Sequence, residues 1–249
     1  MMWCITGAGH FLEESFDAVE EVKRLLSAKV TTALTRAGEE VVRLYGLEER
    51  LRAISPGGYY EEVLTERSEG ASGYRVGRLA RGLYDLLFVS PASANTVAKL
   101  VAGIADTLAT NAVAQAVKGG VRVYVVPTDQ EEVLETPSPT FVDREACKPC
   151  APCMAMEACP RGAVKWVDGR AWIDLSLCHG CRSCVRACPR GAVKAGVKLR
   201  ARARKIDLEN VERLKSMEGV CVLRHPRQLL EQLRPLSASS CGWAYGGGR

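Results

Sequence analysis

Apolar residues recur with two different periods along the first 130 positions of the chain. Residues 2–6, Met-Trp-Cys-Ile-Thr, form a short apolar run that ends at Gly7-Ala8-Gly9. From there Phe11, Leu12, Phe16, Val19, Val22 and Leu26 return at steps of three to four, the period of an amphipathic helix. Residues 29–35 predict a second strand and 84–90 a third, unbroken in its apolar character as in a parallel strand buried on both faces. Val97, Leu100, Val101, Ile104, Leu108, Val113 and Val117 then carry helical spacing across 95–118, as one helix or two, before Gly119-Gly120 and a last strand at 121–126. Such alternation predicts an α/β fold, a doubly wound parallel sheet with ligands at the carboxyl ends of its strands. Residues 55–73, rich in Gly, Ser and Glu, read as a mobile loop or excursion, and Thr136-Pro137-Ser138-Pro139-Thr140 as a stiff linker into the cysteine-rich part. Residues 206–236 predict helix, short strand (220–223) and helix, covering the sheet or extending a subunit contact, followed by a flexible tail at 237–249. The expected units are therefore 1–136, 141–205 and 206–249.

A different pattern takes over after residue 146. Cys147-x2-Cys150-x2-Cys153-x5-Cys159-Pro160 is answered by Cys178-x2-Cys181-x2-Cys184-x3-Cys188-Pro189, and each copy closes with Cys-Pro-Arg-Gly-Ala-Val-Lys, at 159–165 and 188–194. Three evenly stepped thiolates suit three irons of a cubane, and in two-cluster bacterial ferredoxins the fourth, followed by Pro, ligates the other cluster. That rule puts Cys147, Cys150, Cys153 and Cys188 on one [4Fe–4S] cluster, and Cys178, Cys181, Cys184 and Cys159 on a second, in a small C-terminal ferredoxin domain. Structural zinc sites show paired-Cys knuckles and fit less well; a disulfide framework fits least. The first copy holds five residues between Cys153 and Cys159 where three are expected, so an enlarged turn is predicted there. Thiolates that must stay reduced point to a reducing, cytoplasmic setting. Of the remaining cysteines, Cys4 and Cys221 read as buried small apolar residues, and Cys241 has no assigned role.

With 249 residues, 47% apolar and 25% charged, the chain has the composition of one or two globular domains with a sizeable core. Neither a targeting leader nor a run near the roughly 18 apolar residues of a membrane span is visible, so no membrane association is expected. A net charge of +5, with Lys194, Lys198, Arg200, Arg202, Arg204 and Lys205 crowded together, suggests nucleic acid until the metal is counted. Each oxidised cluster with its four thiolates contributes about −2, which brings the loaded protein to about +1. The basic run then reads as local balance for the clusters or a docking rim for an acidic redox partner, and no nucleic-acid recognition motif accompanies it.

Between the third predicted strand and the helix after it stands Ser90-Pro91-Ala92-Ser93-Ala94-Asn95-Thr96. Hydroxyls, an amide and N–H groups at a helix start make a polar cradle for an anion or a flavin edge, although Ser and Asn also serve simply as caps. This segment, Gly103-Ile104-Ala105-Asp106-Thr107-Leu108 and Thr6-Gly7-Ala8-Gly9 together resemble the homo-oligomeric flavin-containing cysteine decarboxylase superfamily, over roughly residues 2–130. The resemblance implies a flavodoxin-like Rossmann domain that holds FMN between subunits of a homotrimer or a larger assembly of trimers. It implies flavin contacts for Gly7, Ala8, Gly9, His10, Thr35, Arg36, Ser93, Ala94, Asn95, Thr96 and Thr128. Gly7 and Gly9 would equally serve as plain turn residues, and Thr35 and Arg36 as solvated loop. Two departures stand out. Pro127-Thr128-Asp129-Gln130 replaces the superfamily's Pro-Ala-Met-Asn substrate grip, and residues 54–85 hold no His, so decarboxylation is not expected. His10, His179 and His225 are scattered; His10 is placed to touch flavin phosphate and His179 lies inside a cluster loop, while a structural role suits each as well.

One branch of the superfamily, the acceptor-type dihydromethanopterin reductases, joins a flavin domain to a two-cluster domain in this order, and Trp3-x-Ile5-Thr6-Gly7-Ala8-Gly9-His10 resembles it. The branch implies electrons passing singly from an external low-potential, ferredoxin-like donor through both clusters to FMN. Hydride then goes to a C=N bond of dihydromethanopterin or a related pterin, giving the tetrahydro form. Cofactors carry such chemistry while the protein supplies spacing and electrostatics, and Asn95 is the candidate for orienting substrate or flavin. Two alternatives stay open: a reductase of another pterin or imine, and an electron-transfer module between protein partners without a small-molecule substrate.

Overall fold

The computed structural model describes residues 1–70 and 73–233; the predicted tail at 237–249, with Cys241, lies outside the described residues, as do 234–236 of the expected last helix. The first part of the chain runs β1 (Met2–Ile5), α1 (Leu12–Leu26), β2 (Thr31–Leu34), α2 (Arg36–Leu44), α3 (Glu48–Ile54), β3 (Val63–Thr65), α4 (Glu66–Glu69), β4 (Leu86–Ala92), α5 (Ala94–Val101), α6 (Leu108–Lys118) and β5 (Arg122–Pro127). A second part follows with β6 (Val133–Pro137), β7 (Phe141–Val142), α7 (Met154–Glu157), β8 (Val164–Val167), β9 (Arg170–Ile173), α8 (Ser183–Ala187), β10 (Val193–Lys194) and β11 (Lys198–Arg202). The chain then returns to the first part through α9 (Lys205–Lys215), β12 (Val220–Val222) and α10 (Gln228–Leu233).

Six strands form one parallel sheet in the order β12-β5-β4-β1-β2-β3. Counted along the chain this is the doubly wound order 3-2-1-4-5-6, whose direction reverses between β1 and β4. Alternate residues of β1 feed opposite layers. Met2 and Cys4 join α6 and α9 side chains such as Val113 and Leu214, whereas Trp3 and Ile5 join Phe16 and Val19 of α1 and Leu229 of α10. All seven residues of β4 are buried, as its unbroken apolar run predicts. Trp3 meets Phe16 edge-on at 4.9 Å and donates its indole N–H to Ser90 O at 2.8 Å, so its polar atom is satisfied inside the core. Each such fully buried side chain contributes about 1.5–3 kcal/mol of burial energy.

Two expectations require correction, and a third gains a partner. Residues 55–73 are not simply a loop: β3 pairs with β2 from Thr32↔Val63 to Leu34↔Thr65, and Thr65 caps α4 by accepting from Ser68 N at 3.0 Å. The stretch 136–140 is not a free linker, because β6 pairs antiparallel with the basic strand β11, Thr136 opposite Leu199. The strand expected at 220–223 forms as β12 (Val220–Val222) and extends the sheet beyond β5. β12 pairs parallel with β5, Val220 opposite Val123, and makes residues 205–233 an edge of the first sheet and part of its two helical layers. The segment 95–118 resolves into α5 and α6, where Thr107 caps α6 by accepting from Thr110 N at 3.2 Å.

The second part is small and cysteine-centred. Cys147, Cys153, Cys178 and Cys184 are buried with Ala155, Val164, Ile173 and Val193, and Cys159 and Cys188 pack beside them. The duplicated phrase folds as a structural repeat. Val164 opens β8 and Val193 opens β10, while Gly162 and Gly191 both take φ of 60°, a left-handed turn that glycine adopts without strain. The five-residue insert between Cys153 and Cys159 forms the helical turn α7. Among the described residues no helix is long and apolar enough to cross a membrane.

Candidate functional site

The reversal between β1 and β4 brings two polar turns together. Thr6, just beyond β1, is buried; its hydroxyl donates to Pro91 O and accepts from Ser93 N, both at 2.8 Å. Ser93 caps α5, accepting from Thr96 N at 3.4 Å and meeting the Thr96 hydroxyl at 3.1 Å. Thr128, beyond β5, joins the same rim through its N–H to Ala92 O at 3.0 Å. Thr35 caps α2, accepting from Gly38 N at 3.0 Å while its own N–H bonds Ile5 O at 3.1 Å. The expected residues thus line the carboxyl ends of β1, β2, β4 and β5, where doubly wound sheets bind ligands. Thr6 is an additional member, and its spanning hydroxyl is what ties the two central turns. Asn95 is exposed on the first turn of α5, with no side-chain hydrogen bond among the described residues.

The first glycine turn is shaped by close approach. A Cβ on Gly7 would lie 2.4 Å from Ala37 Cβ, and one on Gly9 would lie 2.1 Å from the Tyr45 hydroxyl oxygen, so both turns are pressed against α2. Among the described residues, the N–H groups of Gly7, Gly9 and His10 find no acceptor, leaving donors along the rim. Flanking this rim are two cavities. One of about 420 Å³ is lined by His10, Phe11, Thr128, Gln130, Glu135 and Arg224, among others. Burial lowers the His10 pKa, and the ring stacks on Phe11 at 3.9 Å; Phe11 in turn meets His225, whose pKa burial also lowers. The other, of about 830 Å³, is lined by Arg36, Glu39, Arg43, Glu66 and Arg67 at the far side of α2, and shares only Arg36 with the expected set. Arg36 donates its peptide N–H to Glu66 at 3.0 Å, which fixes the start of α2 beside an acidic neighbour.

Six of the eight cysteines of the two phrases, Cys147, Cys153, Cys159, Cys178, Cys184 and Cys188, share one core. Cys184 is pushed up to about 11 by burial and then by the neighbouring charges of Cys159, Cys178 and Cys181, which brings Cys159 electrostatically into the second set. Peptide N–H groups surround several sulfurs: Ala163 N lies 3.2 Å from Cys159 Sγ and Gly180 N lies 3.5 Å from Cys178 Sγ. Burial raises Cys188, but the peptide groups of Val193, Arg190, Ala192 and Gly191 hold its pKa below the usual thiol value. Peptide donors aimed at sulfur favour the thiolate that an iron–sulfur cluster requires, so the residues fit the group. Outside the phrases, Cys4 and Cys221 are both buried, and burial drives the Cys4 thiol up to about 12. The basic residues of 194–205 are largely paired, Lys194 with Asp143 at 2.7 Å, Lys198 with Glu135 at 3.3 Å and Arg204 with Asp207 at 2.7 Å, which leaves less free charge than their crowding suggests.

A doubly wound sheet with a polar rim at its reversal point, carrying a small domain with eight cysteines in two repeated phrases, defines an iron–sulfur flavoprotein. The chain belongs to the flavoprotein family, whose profile matches residues 1–156, and residues 171–194 match the 4Fe-4S binding domain. It is 47% identical over 231 residues to the "Dihydromethanopterin reductase (acceptor)" of Methanosarcina mazei, covering 92% of this chain and 96% of that one. A protein of the same description from Methanocaldococcus jannaschii is 47% identical over 233 residues, covering 93% and 94%. Among solved structures, Burkholderia xenovorans DmrB in complex with FMN, described as a cubic protein cage for redox transfer, is similar with a TM-score of 0.57 at 28% identity, over 92% of this chain and 90% of that one.

Proposed function

We propose that this protein is an FMN-dependent dihydromethanopterin reductase of the acceptor type, fed by an external low-potential carrier through two [4Fe–4S] clusters. The observation that carries this reading is the physical union of the two parts: a flavin-type rim at the sheet's reversal point and a cysteine domain packed on the same sheet, in a chain alike over nine-tenths of its length to two such reductases. When bound, the clusters supply single electrons and the flavin pairs them for hydride delivery. Thr6 holds the β1 and β4 turns in register. The free N–H groups of Gly7, Gly9 and His10, with the first turn of α5, offer donors to the anionic and carbonyl edges of a flavin. Thr35, Arg36 and Thr128 extend the rim. Asn95, exposed and unengaged, is available to orient flavin or pterin across a subunit boundary. An open rim of this kind suits a site completed by a second copy of the chain, and the caged assembly of the Burkholderia protein supports a closed assembly of trimers. A reducing, cytoplasmic setting suits eight thiolates.

The deciding experiment is a single turnover without oxygen. Reduced protein mixed with dihydromethanopterin should reoxidise its flavin and yield tetrahydromethanopterin, and Asn95→Ala should lower flavin occupancy or slow this step tenfold or more while leaving the folded state within about 0.5 kcal/mol of the parent. A flavin that stays reduced with the pterin, yet is drained by a protein acceptor, would replace the reductase with an electron-transfer module.

A further inference from the structure

The two cysteine sets are not equivalent in their relation to the first domain. The loop that carries Cys178 and Cys181 is seated on the corner between α2 and α3. Arg43 donates to the carbonyls of Leu175, at 2.8 Å, and Cys178; His179 Nδ1 lies 2.8 Å from Glu48 Oε2; and Arg182 pairs with Glu13 at 3.4 Å. Backbone meets backbone at this corner. A Cβ on Gly180 would lie 2.4 Å from Gly46 N and 2.5 Å from Leu44 O, and one on Gly46 would lie 2.8 Å from Gly180 O. Leu44 packs into the cysteine core, whereas Tyr45 packs into the sheet's core with its hydroxyl against Gly9 and donating to Pro137 O at 2.7 Å. By contrast, among the described residues no hydrogen bond or ion pair joins 144–162 to 1–130.

We infer that the cluster held by Cys178, Cys181, Cys184 and Cys159 is the flavin-side cluster, that the cluster of Cys147, Cys150, Cys153 and Cys188 is the entry cluster, and that Arg43 is the positioning residue of the joint. This rests on the reading of the chain as an iron–sulfur flavoprotein reductase. Gly9 belongs to the expected flavin turn, Tyr45 touches it, and Gly46 touches the Cys178 loop, so two consecutive residues link the expected flavin rim to the second set. The nine residues of α2 span about 13 Å between Thr35 at the rim and the Cys178 loop. Electron transfer weakens steeply with distance, so the set at this joint is the one that delivers to the flavin. A cluster held there would supply the flavin with one electron at a time, each electron lost by the cluster being gained by the flavin, and two electrons with a proton from solvent would complete the hydride equivalent. The Arg43 cation beside Cys178 also favours the more negative, reduced form of that cluster.

The test uses the full, anaerobically loaded protein, dithionite as donor and no pterin, so it is independent of the substrate. Stopped-flow absorbance follows cluster and flavin reduction in the parent, in Cys150→Ser and in Cys181→Ser, with iron content and EPR recorded for each. Cys181→Ser is expected to slow flavin reduction more than tenfold after the remaining cluster is reduced, whereas in Cys150→Ser the flavin still equilibrates with the cluster that remains. The reverse pattern, or equal slowing in both, overturns the order. Should either ligand variant fail to fold, Arg43→Ala decides: the reduction potential of the cluster whose EPR signal belongs to the second set falls and flavin reduction slows, with Arg43→Lys restoring part of both. No change in either quantity, or a change in the other cluster alone, overturns the proposal. Protein that takes up both clusters but no FMN would sink the parent reading, a result distinct from a bound flavin reduced by the wrong cluster.

Discussion

Thr6 shows how much one hydroxyl does in this molecule. It is both donor to Pro91 O and acceptor from Ser93 N in a buried position, so Thr6→Val keeps the shape but strands the Ser93 N–H, while Pro91 O keeps only the Thr6 peptide N–H at 3.3 Å. A loss of about 1–3 kcal/mol is expected in chemical denaturation, with flavin occupancy falling alongside it. His10 and His225 act through protonation. Burial lowers both pKa values, so the unfolded chain takes up protons near pH 6.5 that the folded chain resists. Their contribution is therefore present above that pH and is lost as pH falls through the lowered folded values. The melting temperature of the loaded protein should drop between pH 7.5 and 5.5, and the double variant His10→Gln/His225→Gln should flatten that drop; an unchanged slope would remove these residues from the pH response.

At the scale of elements, the joint between α2 and the Cys178 loop is a tightly constrained contact, because two backbones meet there with no side chain between them. Gly180 has φ of 60°, and a Cβ there would press on Gly46 N, Leu44 O and the Tyr45 carbonyl carbon. Gly180→Ala is thus expected to cost at least about 1–2 kcal/mol from backbone strain alone and to loosen the second set from the sheet. Faster proteolysis after residue 137 in the variant, with unaltered spectroscopy of the flavin domain, is the readout. The edge strands were legible to different degrees. β3 has three residues, too few to display a period, and is a strand because β2 offers it a free edge, whereas β12 is the strand expected at 220–223 and only its pairing with β5 needed the fold. β6 hid behind its prolines for a similar reason, since its pairing partner β11 lies some sixty residues away.

For the whole molecule, the paired phrases and the close-set sulfurs predict about eight iron atoms per chain as two cubanes. Iron and sulfide analysis with EPR on anaerobically purified protein measures this. Four irons or fewer would break the wiring, and Cys159→Ser should remove the cluster of Cys178, Cys181 and Cys184 while sparing the other. The interleaving of chain segments adds to the cohesion of the assembly. Residues 205–233 complete the first sheet only after the chain has passed through the cysteine domain, so the two parts are fastened by β12 as well as by the α2 joint.

What the sequence determined by itself was chemistry that is local along the chain. Ligand spacing decides how thiolates wrap a cubane, a helical or strand period decides which face is buried, and the 90–96 segment offers its cap within a few residues, so both cofactor classes and the central strands were readable. Tertiary structure decided what depends on distant partners: the edge strands, the pairing of the 136–140 segment, the bridging hydroxyl of Thr6, and the seating of one cysteine set, not both, against α2. Arg43, Tyr45, Gly46 and Glu48 carry no motif, and their role appears only when Leu175, Cys178, His179 and Gly180, more than a hundred residues later, are folded onto them. Such contacts arise from closing a long loop, whose ends are brought together by the packing of the whole chain and leave no periodic trace in it.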